Sequence, residues 1–266
     1  MQPNWIVRNK YKLIAFSIGL YVLGDGLMHK GLVRVMIPKD FPEYTIDTAI
    51  SPNKNVLVNA GKEWVKGVNT KEIMNSIDKN CSGLEIDVYF DTSNDHFDVH
   101  HDKSNSIGLY LDSLLAVYAV RKLKASIWLD LKNLTAVNNV AAVKELLQLQ
   151  NKYGLANKIL VESQWPQYLT VFSDNQFSTS YYTPSFNPYL MSDNQLKFWV
   201  DSLTTVIKRS NINFLSGYYF QYPFLQHYFP RYPVLIWSPN DKFSIINWWY
   251  KRNILANNAV FITLYP

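Results

Sequence analysis

Beyond residue 55, short apolar runs alternate with longer stretches in which apolar positions recur every three or four residues. The apolar runs fall at 56–58, 84–90, 126–130, 159–163, 177–181, 214–217, 234–237 and 260–263. Between them, residues 70–79, 113–122, 138–153, 193–208 and 242–252 carry helical spacing, and Val140, Val143, Leu146 and Leu147 mark one face of such a helix. Strand alternating with helix predicts a mainly parallel sheet. Eight such units predict closure into an α/β fold of the (β/α)8 TIM-barrel type rather than an open sheet. The eighth run ends close to Pro266, so the barrel is expected without its final helix.

The first 33 residues follow a different pattern. Arg8, Lys10 and Lys12 precede an apolar run over 13–23, which Gly24, Asp25 and Gly26 interrupt before Leu27 and Met28 resume it. A positive flank followed by an apolar stretch marks a secretory signal or a signal-anchor. No clean small-x-small cleavage site follows, which favours an uncleaved membrane anchor with the folded domain exported to a periplasmic or extracellular space. The rival reading is an ordinary buried helix, since Asp25 is costly inside lipid. Residues 34–54, with Pro38, Pro42 and Pro52 among polar groups, read as a linker, and 55–266 as the barrel.

Composition narrows the class. The chain has 266 residues, 48% of them hydrophobic and 15% aromatic, which suits one large folded domain. The net charge of +5 is spread along the chain. Without a basic stripe, nucleic acid is not an expected partner, whereas an anionic membrane surface is compatible. Cys81 is the sole cysteine, so neither an intrachain disulfide nor a cysteine zinc site can form, and it reads as a small buried residue.

In such a barrel the chemistry lies at the carboxyl ends of the strands. Gly83-Leu84-Glu85-Ile86-Asp87-Val88 places two carboxylates on one face of an apolar strand. Facing the lumen, they need neutralising, and a hard divalent cation with oxygen ligands does so directly. Phe97-Asp98-Val99-His100-His101-Asp102 then offers a proton-transfer group beside a carboxylate, with either histidine free to be the inward one. In Ile127-Trp128-Leu129-Asp130-Leu131-Lys132, Asp130 can complete an oxygen-rich metal site and Lys132 can neutralise a phosphate oxyanion.

These segments, in this order, resemble the glycerophosphodiester phosphodiesterase and phosphatidylinositol phospholipase C-like superfamily. That family shows His-Arg-Gly after its first strand, a Glu-Asn-Thr helix start, a Glu-x-Asp strand, a His-Asp pair and a Glu-x-Lys strand. Val68-Asn69-Thr70 is similar to the helix start, Glu85 and Asp87 match the acidic strand, and His101-Asp102 matches the pair. Asp130 and Lys132 resemble the Glu-x-Lys element with a shortened acid. Val234-Leu235-Ile236-Trp237-Ser238 and Phe261-Ile262-Thr263-Leu264-Tyr265-Pro266 resemble the family's last two strands.

The departures are equally specific. Asn59-Ala60-Gly61 stands where the first histidine and arginine are expected, Val68 replaces a glutamate, and Leu264 a terminal aspartate. Asparagine can hydrogen-bond a phosphate oxygen or a metal-bound water but cannot carry a proton near neutral pH.

The resemblance implies a divalent cation, Mg or Ca, on Glu85, Asp87 and Asp130. It also implies a glycerophosphodiester or phospholipid-type substrate, His101 or His100 as general acid or base, and Lys132 on the phosphoryl oxygens. A non-catalytic barrel that binds a phosphate-bearing lipid headgroup or glycan is the alternative. A glycosidase site is disfavoured, because Glu85 and Asp87 lie too close on one strand to straddle a sugar. The aromatic stretches 216–223 and 248–250 read either as packing or as a membrane-interface surface.

Overall fold

The computed structural model describes residues 5–37, 39–45, 50–53, 56–103 and 106–265. Pro38, parts of the expected linker and the closing Pro266 lie outside the described residues. Two helices, α1 (Trp5–Met28) and α2 (Lys30–Met36), precede β1 (Glu63–Val65) and α3 (Lys71–Ser76). There follow β2 (Gly83–Asp91), β3 (His96–Val99), α4 (Leu111–Val120), β4 (Ser126–Leu131), α5 (Asn139–Tyr153), β5 (Ile159–Ser163) and α6 (Thr170–Asp174). The chain ends with β6 (Ser178–Tyr182), α7 (Asp193–Lys208), β7 (Phe214–Tyr218), α8 (Tyr222–Tyr228), β8 (Val234–Trp237), α9 (Ile245–Ala256) and β9 (Val260–Tyr265).

Eight parallel strands run in the order β1-β9-β8-β7-β6-β5-β4-β2, and the β1–β2 pairing closes the cylinder. β3 is an antiparallel addition outside β2. The fold is therefore the expected (β/α)8 barrel, and among the described residues no helix follows β9.

The helices start and stop where local chemistry dictates. The Thr70 hydroxyl accepts from Ile73 N at 3.2 Å to cap α3. Ser192 and Gln195 form a capping box on α7. α5 ends at Gly154, which takes the left-handed conformation with φ 63°.

The first strand lies elsewhere than the apolar pattern suggests. Residues 56–58 are not a strand: Leu57 is buried with Trp64, Trp128, Leu160, Phe214, Leu235 and Ile262 in the lumen and helps seal its floor. β1 is instead Glu63–Val65, paired with β9 on one side and β2 on the other. Its one fully inward side chain, Trp64, lies across Gly83 so closely that a Cβ there would come 2.0 Å from the indole.

The stretch read as a linker is held down wherever it is described. Phe41 and Tyr44 pack on Tyr228 of α8, and Lys39 donates to Pro188 O at 2.6 Å. α2 lies along α9, burying Leu32 and Val35.

Candidate active site

Strand alternation carries β2, β4 and β5 from an apolar floor to an acidic mouth. Gly83, Glu85 and Asp87 share the inner face of β2, Trp128 and Asp130 that of β4, and Leu160 and Glu162 that of β5. Parallel pairing sets Asp87 beside Asp130, and Asp130 beside Glu162. Glu85, Asp87 and Asp130 are all buried, and each offers a carboxylate oxygen within 4.8 Å of the others.

Neighbouring loops hold these oxygens in place. Gly67, at φ 69°, donates its N–H to Glu85 Oε2 at 2.6 Å. Asn69 clamps Asp87 twice: its Nδ2 donates to Oδ2 at 2.6 Å, and its Oδ1 accepts from Asp87 N at 2.9 Å. Lys132 Nζ lies 2.7 Å from Asp87 Oδ1 and also pairs with Asp130.

Burial, reinforced by Asp87 and Asp130, pushes the Glu85 carboxyl up to about 8. Burial also raises Asp130, opposed by Lys132. For Lys132, burial works against the charge, but Asp130 and Asp87 outweigh it and hold the ammonium above its usual range.

The structure separates the two histidines. The His100 ring is buried, stacked on Tyr89 at 4.2 Å, with Nδ1 at 2.8 Å from Asp102 O and Nε2 at 3.4 Å from Asp98 Oδ2. His101 is 63% exposed and lines the cavity over the acids, with Nδ1 at 2.9 Å from Asp102 Oδ1. Only His101 has a ring nitrogen left for a substrate.

Asn59 is not at this site. Its Oδ1 accepts from Trp64 Nε1 at 3.2 Å and its Nδ2 donates to Phe261 O at 3.3 Å, which places it at the amino-terminal end of the barrel. This correction follows from β1: with the strand at Glu63–Val65, its carboxyl end is Lys66-Gly67, so Lys66 takes the place expected for the first histidine and lines the cavity. Val68 is buried and donates its N–H to Glu85 O at 2.8 Å. Leu264 belongs to the apolar lumen.

The cavity, of about 70 Å³, is lined by Lys66, Glu85, Asp87, His101, Asp130 and Lys132 together with Tyr182, Tyr218 and Trp237. The aromatic wall is tight, with Tyr182 4.6 Å and Tyr218 5.7 Å from the Trp237 ring. Each of these three residues ends its strand, which is the signal that identifies them. Glu162 is a further acid beside the site: fully buried, it accepts from the Ser216 hydroxyl through Oε2, while Oε1 has no partner. Burial and Asp130 hold its carboxyl well above the usual range.

A larger cavity of about 610 Å³ lies on the flank between α2 and the α8–α9 pair, but among the described residues no carboxylate lines it. Size therefore does not mark the chemistry. Cys81 is partly buried, donates to Gly83 O at 2.9 Å and has its thiol pushed up by burial, the state of an unreactive residue.

The donor set suits a hard cation. Three buried carboxylates face one lysine, all donors are oxygen, and no thiol or imidazole competes within the cluster. No protein-family model matches the chain, and no curated protein matches it by sequence.

Solved structures do match. A glycerophosphodiester phosphodiesterase from Parabacteroides distasonis superposes with a TM-score of 0.51 at 15% identity, over 78% of this chain and 93% of that one. The barrel has the fold of a glycerophosphodiester phosphodiesterase. An Oleispira antarctica phosphodiesterase, solved with its product sn-glycerol-3-phosphate, superposes with a TM-score of 0.53 at 13% identity, over 77% of this chain and 92% of that one. On this phosphodiesterase fold the acids of β2 and β4 occupy the carboxyl-end mouth, where barrels of this architecture carry their chemistry.

Proposed function

We propose that this chain is a membrane-tethered, divalent-metal-dependent phosphodiesterase that acts on a glycerophosphodiester or phospholipid-type substrate. One observation carries the reading. Glu85, Asp87 and Asp130 converge beside Lys132 and His101, in the mouth of a barrel whose fold is shared with phosphodiesterases.

A Mg or Ca ion on Glu85, Asp87 and Asp130 would supply Lewis acidity toward a phosphoryl oxygen. The chain's own groups do the rest. Lys132 and Lys66 face the same cavity and balance negative charge on the non-bridging oxygens. Asp102 orients the His101 ring through Nδ1, leaving Nε2 to hand a proton to the leaving oxygen. Tyr182, Tyr218 and Trp237 shield the opposite wall from water.

With Lys66 at the end of β1, this site has one proton-transfer histidine rather than two. Loss of such a group costs about 10²–10⁴-fold in rate, so a slow enzyme is expected.

Tethering rests on α1, which offers a 20-residue apolar span over Asn9–Met28 that is 6% buried. Its fully exposed part, residues 10–23, is shorter than the roughly 20 residues of a standard span. Three basic residues flank the apolar run on each side, Arg8, Lys10 and Lys12 before it and Lys30, Arg34 and Lys39 after it, so charge alone does not set its orientation.

The test is a panel of glycerophosphodiesters and lysophospholipids assayed with Mg, Ca or chelator, on the wild type and on Glu85→Ala and His101→Ala. Metal-dependent turnover that Glu85→Ala abolishes and His101→Ala lowers by about 10²–10⁴-fold supports the enzyme. A second reading, a phosphate-headgroup binder, draws on the pairing of Lys132 with both Asp87 and Asp130. Headgroup binding without turnover under every metal condition would establish that reading in place of the first.

A further inference from the structure

The tether meets the barrel at the β8–α9 connection, and that position fixes which way the mouth faces. The Tyr21 hydroxyl donates to Phe243 O. Asp25 Oδ2 accepts from Ile246 N at 3.0 Å, and the His29 ring bridges Asp25 at 2.9 Å and Asp241 at 3.3 Å. Residues 10–23 of α1 are all exposed, so the helix leaves the barrel there. This connection follows the carboxyl end of β8, directly after Trp237 of the active-site wall. The point at which α1 enters a bilayer therefore lies on the catalytic rim.

Exposed apolar side chains crowd the same rim. Val137 follows β4, Trp165 follows β5, Leu190 follows β6, and Phe243 follows β8, with Trp248 in the first turn of α9. Val137 and Phe243 are 88% and 87% exposed. Among the described residues the opposite rim offers Val58 and Val120. Apolar groups spread over four connections at one end of a barrel do not serve its core. Large aromatics beside an apolar helix are the signature of the membrane–water boundary.

Charge agrees with this placement. At the root of α1 a groove of about 360 Å³ is lined by Gly26, Lys30, Val33, Arg34, Lys39 and Tyr189, with three cations and no acid among them. Such a groove complements anionic phospholipid headgroups.

We propose that the carboxyl-end rim is a bilayer-docking face. Phe243, Trp248, Trp165 and Val137 rest in the headgroup layer of an anionic membrane, and the acidic mouth opens onto the leaflet that α1 enters. This inference rests on the tethered reading of α1, and its test keeps the two apart.

The full chain, with Cys81→Ser as background, is reconstituted into nanodiscs of phosphatidylcholine and phosphatidylglycerol that contain a lipid spin-labelled near the headgroup. Single cysteines carrying an environment-sensitive fluorophore are placed by Leu20→Cys, Val137→Cys, Trp165→Cys, Phe243→Cys and Val120→Cys. The expected result is spin-label quenching and a blue shift at Leu20, Phe243, Trp165 and Val137, and neither at Val120. Quenching at Leu20 with Val137 and Trp165 as unquenched as Val120 overturns the docking face while leaving the tether. An unquenched Leu20 overturns both. The readout needs no turnover, so an inactive enzyme does not alter it.

Discussion

Replacing Lys132 by methionine isolates the electrostatics of the acid cluster. The Lys132 side chain is 20% exposed, and its two partners, Asp87 and Asp130, are 3% and 5% exposed. Removing one member of a buried ion pair costs about 3–5 kcal/mol, because the remaining charge stays uncompensated. Glu85 and Asp130 are already raised by burial and can take up protons, which places the loss near the lower end, about 3 kcal/mol. At about 2–4 °C per kcal/mol for a domain of this size, Tm falls by about 6–12 °C. A divalent cation at about a hundred times its Kd returns about 2.7 kcal/mol, so most of the loss is recovered on adding Mg or Ca. Thermal unfolding of the detergent-solubilised chain, followed by tryptophan fluorescence in EDTA and then in excess metal, reads both effects. A Lys132→Met protein that melts with the wild type in EDTA, or metal that moves neither melting curve, refutes the account.

Four other outcomes follow from the same geometry. His101→Ala lowers kcat by about 10²–10⁴-fold with stability unchanged, whereas His100→Ala, which removes the stacked and hydrogen-bonded ring, costs about 1–3 kcal/mol; paired kinetics and melting curves would expose a reversal. Asn69→Ala frees Asp87 and weakens metal binding by about 10–100-fold, as titration calorimetry would show. In the metal-free protein Glu85 keeps a proton that the unfolded chain releases above its ordinary 4.5, so its contribution to stability is complete below that value and is lost as pH rises toward about 8. Denaturation midpoints in EDTA that climb across this window would contradict that sign. Gly83→Ala drives a methyl into the Trp64 indole and costs about 1–3 kcal/mol, and pairing it with Trp64→Leu recovers part of the loss in a double-mutant cycle.

Much of this architecture was legible because period-two alternation survives in the chain itself. Glu85 and Asp87 had to share a face, and the apolar runs at 84–90, 126–130 and 159–163 became β2, β4 and β5 with ends displaced by a residue at most. β1 was not legible. Val56-Leu57-Val58 is more apolar than Glu63-Trp64-Val65, yet the former seals the floor and the latter makes the strand, since both flanks of β1 are paired and one large indole suffices to fill its inner face. Misplacing β1 put Asn59 in the mouth and hid Lys66. Glu162 was missed for another reason: its proximity to Asp130 is a matter of register between strands, which a single strand's sequence does not record. α6 and α8, of five and seven residues, are too short for helical periodicity to emerge.

The layering of the lumen is the strongest physical reason to assign chemistry to the mouth. One step below the acids, the same strands carry Trp128 and Leu160 packed with Trp64 and Phe214, a layer that fills the barrel without charge. Folding alone would be served by repeating that layer. Instead β2, β4 and β5 present Glu85, Asp87, Asp130 and Glu162, and burial raises three of these carboxyls above their ordinary range. The surrounding groups do not relieve the crowding by turning the acids outward. The Gly67 N–H, the Asn69 amide and the Ser216 hydroxyl each fix a carboxylate in its inward position. Hydrogen bonds that hold these acids together, directly above a layer that fills the lumen without them, mark a cluster that the core itself does not require.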